Sequence, residues 1–165
     1  MTTCQTITID FDDEMKSTRK LLERVPLDDA HRAWQPHEKS MTLERLATHV
    51  ADLPSWLKMA LDESEIFELQ PGFKPRIAAS TTELLEIFDR SVEQGRAGIA
   101  AATEDDMQKT WTFKFGEQIS FTEIRPKVIR SFINHLVHHR AQLGVYLRLN
   151  GIPIPGMYGP SADEN

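Results

Sequence analysis

The chain contains the segment Ser131-Phe-Ile-Asn-His-Leu-Val-His-His-Arg-Ala-Gln-Leu143, whose apolar residues recur at helical spacing. Its apolar stripe consists of Val128, Phe132, Leu136, Leu143 and Tyr146. Pro126 suits a first helical turn, and Gly151 followed by Pro153 suits an end. The pattern therefore predicts a long helix over residues 126–149.

Two histidines of this helix, His135 and His139, are one turn apart and fall inside the apolar stripe. A buried imidazole is costly unless its ring nitrogens find partners. The pair is either two core histidines with hydrogen-bond partners or two ligands of one metal ion, and the spacing alone does not separate these interpretations. His138 lies on the flank of the stripe, which favours a surface position or a supporting role.

The candidate third ligand is His49, at the border of the apolar face of a second helix that begins near Thr42. A single histidine in such a place is more often structural. In a helix bundle, however, ligand sites are built from inward side chains on facing helices. Three neutral imidazoles would leave one coordination position open, as in catalytic zinc sites, and they also suit nickel, copper and iron.

Two further helices and a bend complete the helical prediction. The first helix is predicted over residues 9–25, and the third begins with a capping box from Ser80 to Glu83. Pro54 should bend the second helix or start a new one. Gly95 and Gly98 should weaken the third helix.

The connections are polar or broken by proline and glycine. Residues 62–79 read as one long irregular connection. Trp111–Phe115 and Ile119–Phe121 alternate apolar and polar residues around Gly116, which suits a small hairpin or, nearly as well, an extended loop. Four long amphipathic helices predict an all-α four-helix bundle, formed by one domain over residues 1–165.

Several residues near the histidines have two open interpretations. Asp52 could support a ligand's second ring nitrogen, although a solvated acid is slightly favoured. Arg140 and Gln142 could contact an anionic substrate or brace a loop. The three tryptophans are interpreted as packing residues: Trp34, Trp56 and Trp111. No general base is identifiable.

Composition excludes several classes of function. The net charge of −6 and the absence of a Lys/Arg run argue against nucleic acid or an anionic membrane as a partner. Cys4 is the single cysteine, so no intrachain disulfide can form. No signal peptide or membrane-spanning apolar run is recognised, and the expected location is the cytoplasm.

Two segments and the tail carry a family resemblance, and the first segment is Trp34-Gln-Pro-His-Glu-Lys-Ser-Met-Thr-Leu-Glu-Arg-Leu-Ala-Thr-His49. It resembles the N-terminal signature of the DinB family, also called DinB/YfiT-like metalloproteins. Asn134-His-Leu-Val-His-His-Arg-Ala-Gln-Leu143 is similar to its last-helix motif, His-x-x-x-His-Arg-x-Gln, with Ala141 where glycine is common. The tail from Asn150 to Asp163 is similar to one subgroup.

The resemblance implies a four-helix bundle with a long crossover and a divalent metal, often nickel or zinc, held by residues matching His49, His135 and His139. It also implies a homodimer. Some relatives use low-molecular-weight thiols in transferase or isomerase reactions, whereas others are labelled hydrolases or stress-induced proteins.

Three functions stay open from the sequence. The first is a metal-dependent enzyme, a thiol transferase or a hydrolase, acting on a small electrophilic molecule, with thiol transfer favoured by family analogy alone. The second is a non-catalytic protein that a metal braces, in a stress response or an interaction. The third is a metal-free helical domain that binds a partner.

Overall fold

The computed structural model describes residues 1–62 and 64–164. In chain order its helices are α1 (Thr3–Leu22), α2 (Leu43–Asp52), α3 (Trp56–Leu61), α4 (Thr81–Ala101) and α5 (Arg125–Leu149). Its strands are β1 (Ile66–Leu69), β2 (Thr110–Phe115) and β3 (Gln118–Ile124). Single 3₁₀ turns cover Leu53–Ser55 and Asp106–Gln108. No helix of this described part is both long and apolar enough to cross a bilayer.

The prediction of an all-α fold is wrong, because the chain also forms a three-stranded mixed sheet in the order β1-β2-β3, which contacts α5. Strands β2 and β3 are antiparallel around Gly116, which has a φ of +53°, so the hairpin interpretation of that segment is the correct one. Strand β1 pairs in parallel with β2, with Phe67 opposite Phe113. Strand β1 has four residues, and its partner lies far along the chain. Its local sequence pattern was therefore too short to predict a strand.

The first helix begins at Thr3 rather than Ile9. Thr2 caps it: the Thr2 hydroxyl oxygen accepts from the Gln5 backbone N–H at 3.2 Å, and the Gln5 side-chain oxygen accepts from the Thr2 N–H at 2.9 Å. The added turns are mostly polar and partly exposed, so they do not contribute to the apolar stripe that marked the helix in the sequence.

Pro54 separates two helices, as predicted. The 3₁₀ turn at Leu53–Ser55 ends α2 and leads directly into α3. The last helix, Arg125–Leu149, agrees with the predicted range to within one residue.

Gly95 has a packing role that the sequence did not indicate. A Cβ atom at this position would lie 2.4 Å from the Pro54 carbonyl oxygen and 2.9 Å from Phe11 Cζ. The missing side chain therefore lets α4 pack against both α1 and the proline turn. The glycine costs helix propensity, but it permits the close contact that fixes α2 and α3 against the bundle.

Candidate metal centre

The three predicted histidines lie together between α2 and α5. The ring centroids are 5.2 Å apart for His49 and His135, 4.8 Å for His49 and His139, and 4.5 Å for His135 and His139. One nitrogen from each ring lies within 4.8 Å of the others. Helical spacing aligns the α5 pair, and the packing of α2 against α5 supplies the third ring.

The donor set and spacing fit a transition-metal ion. The Nε2 atoms of His49 and His135 are 3.0 Å apart. Two nitrogens bound to one tetrahedral ion at ~2.0–2.1 Å would be separated by ~3.3 Å, so a small adjustment would suffice. Without an ion, one of these two nitrogens can donate a hydrogen bond to the other. That bond does not involve the third ring, His139.

Burial favours the uncharged form of all three rings. Desolvation is the main cause that lowers the pKa of His49, to about 4, and the neighbouring imidazoles and Arg45 lower it further. The pKa values of His135 and His139 are also lowered, again mainly by burial. Neutral imidazole is the form that binds metal, so at neutral pH the rings need not lose a proton first.

Gln142 orients one of these rings. The Nδ1–H of His139 donates to the Gln142 side-chain oxygen at 2.7 Å. This bond leaves the lone pair on Nε2, which is then free to bind a metal ion. Such a partner for the second ring nitrogen is a usual feature of histidine metal sites.

Arg140 braces the structure. It is 2% exposed, forms an ion pair with Glu14 at 2.6 Å, and donates to Thr18 at 3.1 Å and Tyr158 at 2.7 Å. These contacts fasten the tail and α1 to α5, so of the two sequence interpretations the bracing role is the correct one.

Among the neighbouring residues, Trp56 differs from the sequence interpretation, whereas Asp52 and His138 agree with it. Trp56 packs edge-on against His49 at 5.7 Å and lies 5.6 Å from His135, so it forms part of the site wall as well as the core. Its proximity depends on the proline turn, and no local pattern could reveal it. Asp52 is exposed and accepts from Trp56 Nε1 at 3.4 Å, whereas His138 is exposed beside His139.

A cleft of about 1370 Å³ opens onto the cluster. His49, His135 and Trp56 are among its lining residues, together with side chains of α4 and of the sheet. Two of the three histidines are thus reachable by a small molecule, which agrees with an open rather than a closed site.

The sequence matches the model of a known protein family. The model of the DinB family matches residues 2–165. The chain belongs to the DinB family. No curated protein matches this DinB-family sequence.

Solved structures of DinB-like proteins share its fold. A DinB-like protein from Bacillus cereus has a TM-score of 0.70 at 18% identity, covering 93% of this chain and 97% of that one. A DinB-like protein from Bacillus subtilis has a TM-score of 0.66 at 19% identity, covering 90% of this chain and 96% of that one. At such low identity, these similarities concern the fold alone.

Proposed function

We propose that this DinB-family chain is a metal-dependent enzyme in which His49, His135 and His139 bind a divalent ion, nickel or zinc. The observation that carries the proposal is the convergence of three half-buried imidazoles at the wall of an open cleft. A divalent ion held there would supply Lewis acidity, lowering the pKa of a thiol or a water in the open position.

The protein's own residues have separate tasks. The three imidazoles provide neutral donors, and Gln142 keeps the His139 proton on Nδ1. Trp56 and Phe132, whose rings are 5.4 Å apart, limit the access of water beside His135. The substrate is a small electrophilic molecule that enters through the cleft.

The reaction favoured here is the transfer of a low-molecular-weight thiol, with hydrolysis as the second choice. The support for thiol transfer is the resemblance to family members that use such thiols. The cleft is compatible with both, because it has room for two small reactants or for one larger ester.

Metal binding is tested with two histidine variants. His135→Ala should lose the ion, because two imidazoles hold a divalent ion far less tightly than three. His138→Ala is the matched control on the same helix, and it should keep the ion because its exposed ring lies outside the cluster. The metal content of the two purified variants, measured by mass spectrometry, tests this expectation. Equal content in both variants would reject the site.

Catalysis is tested with the metal-loaded protein. Thiol consumption should be followed with an aromatic electrophile and, separately, ester cleavage with the same protein. Turnover that disappears in His135→Ala and persists in His138→Ala supports the enzyme. Binding of the ion without turnover of either class would contradict it.

The alternative is a non-catalytic protein that a metal braces. The observation in its favour is that the cluster joins α2 to α5, so a bound ion would crosslink two helices far apart in sequence. In that case chelation lowers the melting temperature, while no thiol or ester substrate is converted.

A further inference from the structure

The cleft is richer in basic residues than the molecule as a whole. The chain carries a net charge of −6, yet the cleft has more cations than anions along its walls. Its basic residues are Arg45, Lys74, Arg76, Arg90 and Lys127. Its acidic residues are Asp52, Glu68 and Glu123. A concave surface lined by one sign of charge concentrates ligands of the opposite sign.

Several of these charged groups have partners, which changes the balance of charge in the cleft. Glu123 pairs with Lys127, Glu68 lies 3.7 Å from Lys114, and Asp52 accepts from Trp56. Arg76 pairs with Glu83 outside the cleft lining. Glu68 and Glu123 thus lie beside cations, and Asp52 adds one negative charge to the lining.

Three further basic residues line the cleft. Within residues 1–62 and 64–164, no carboxylate pairs with the side chains of Arg45, Lys74 or Arg90. Arg45 stands one helical turn before His49 on α2, and Arg90 projects from α4, which packs against α2. Two arginines from facing helices therefore line the same cleft as His49 and His135.

The sheet contributes an aromatic surface to this cleft. Phe67, Phe113 and Phe121 are in register on neighbouring strands, with ring centroids 6.0 and 5.8 Å apart and planes inclined by 18° and 20°. All three are partly exposed and line the cleft. Such a row suits a planar apolar group better than a strongly hydrated one.

We propose that the substrate of this site is an amphipathic organic anion. Its planar apolar body lies on the row of Phe67, Phe113 and Phe121, and its carboxylate or other small oxyanion lies between Arg45 and Arg90. The guanidinium fork matches an oxyanion in geometry, and both arginine side chains are exposed and accessible to a ligand. This inference rests on the proposed function, since it names the substrate class for the cleft beside the histidines.

The experiment compares two fluorescent probes with chelated protein, so that metal binding does not enter. The anionic probe is 8-anilinonaphthalene-1-sulfonate, and its uncharged counterpart is N-phenyl-1-naphthylamine. The variants are Arg45→Gln, Arg90→Gln and both together. The matched control is Arg130→Gln, an exposed arginine on α5 outside the cleft lining.

The anionic probe should bind at one site, and its Kd should rise about tenfold for each cleft arginine removed, the size expected for one charge-assisted contact. The uncharged probe should bind these variants like the unaltered protein. Phe121→Ala should weaken both probes. Arg130→Gln should change neither.

A Kd for the anionic probe that is equal in the arginine variants and the unaltered protein would overturn the proposal. An equal loss in Arg130→Gln would also overturn it, since that result indicates only the general charge of the surface. The metal content of His135→Ala reports separately on the proposed function. Failure of the proposed function and failure of this inference are therefore distinguishable.

Discussion

At the scale of single residues, the environment of His49 decides its chemistry. The ring is taken from water by α2, α5 and Trp56, and the pKa falls from 6.5 to about 4 because burial penalises the charged form. The same burial that makes the ring a ready ligand makes it a source of instability in acid when no ion is bound.

The chelated protein should therefore lose stability as the pH falls from about 6.5 toward about 4. In this window the unfolded chain binds a proton on His49 and the folded chain does not, so protonation favours unfolding. The lowered pKa values of His135 and His139 act in the same direction. Urea unfolding at several pH values measures the slope.

His49→Gln is the control for this pH effect. It removes one of the three titrating rings, so its free energy of unfolding should depend less on pH in the same window. Parallel curves for the two proteins would contradict the lowered pKa of His49.

Arg140 connects α5 to both α1 and the tail. Arg140→Met leaves Glu14, with 17% of its side chain exposed, without its ion-pair partner. Removing one member of a buried pair typically costs about 3–5 kcal/mol. Urea unfolding should show a loss of that order.

Arg130→Met is the control, because Arg130 is 67% exposed in its side chain and lies 3.9 Å from Asp10. An exposed pair contributes about 0–1 kcal/mol, so this loss should be small. Similar losses in the two variants would mean that the contacts of Arg140 add little.

At the scale of elements, the packing of α4 depends on glycine at position 95. Gly95→Ala would place a methyl group against the Pro54 carbonyl oxygen and Phe11. Overpacking of this kind costs about 1–3 kcal/mol, which exceeds the gain in helix propensity of about 1 kcal/mol. The melting temperature of this variant should fall.

Gly144→Ala in α5 is the matched control, since no atom lies within 4 Å of the added Cβ. Here helix propensity acts alone, and the variant should be more stable by up to about 1 kcal/mol. Opposite signs for the two substitutions are expected. A stabilising effect of Gly95→Ala would contradict the close contact.

The sheet contributes side chains to both the core and the cleft. Strand β2 contributes Trp111, which is fully buried and lies 5.8 Å edge-on from Phe132 of α5. Trp111 thus packs the sheet against α5, while the phenylalanine row both packs against the core and lines the cleft. This arrangement adds an aromatic surface to the cleft that His49 and His135 also line.

At the scale of the whole molecule, metal binding and folding should be coupled. If the ion binds the folded chain, stability should rise by about 2.7 kcal/mol at a free metal concentration 100 times the Kd. Thermal unfolding with and without a chelator measures the shift. The shift should disappear in His135→Ala and remain in His138→Ala, and an equal shift in both variants would exclude coupling through the cluster.

Two predictions about the whole molecule stay open. The single domain predicted over residues 1–165 is testable by limited proteolysis, and the homodimer implied by the family resemblance is testable by sedimentation.

Helical periodicity, caps and the family motifs are local signals, and they were sufficient to predict the long helices, the break at Pro54 and which three histidines lie together. It also indicated the β2–β3 hairpin, whose strands are joined by a short turn. The local pattern did not predict β1, since this four-residue strand forms by pairing with the distant strand β2.

The surroundings of the histidines follow from tertiary packing. Trp56 reaches the rings through the proline turn, Arg140 points to α1 and the tail instead of the cleft, and Gly95 serves a close contact rather than a loose helix end. Each of these roles depends on which surfaces meet across the bundle. That is a property of packing between segments far apart along the chain, and residue spacing within one segment does not contain it.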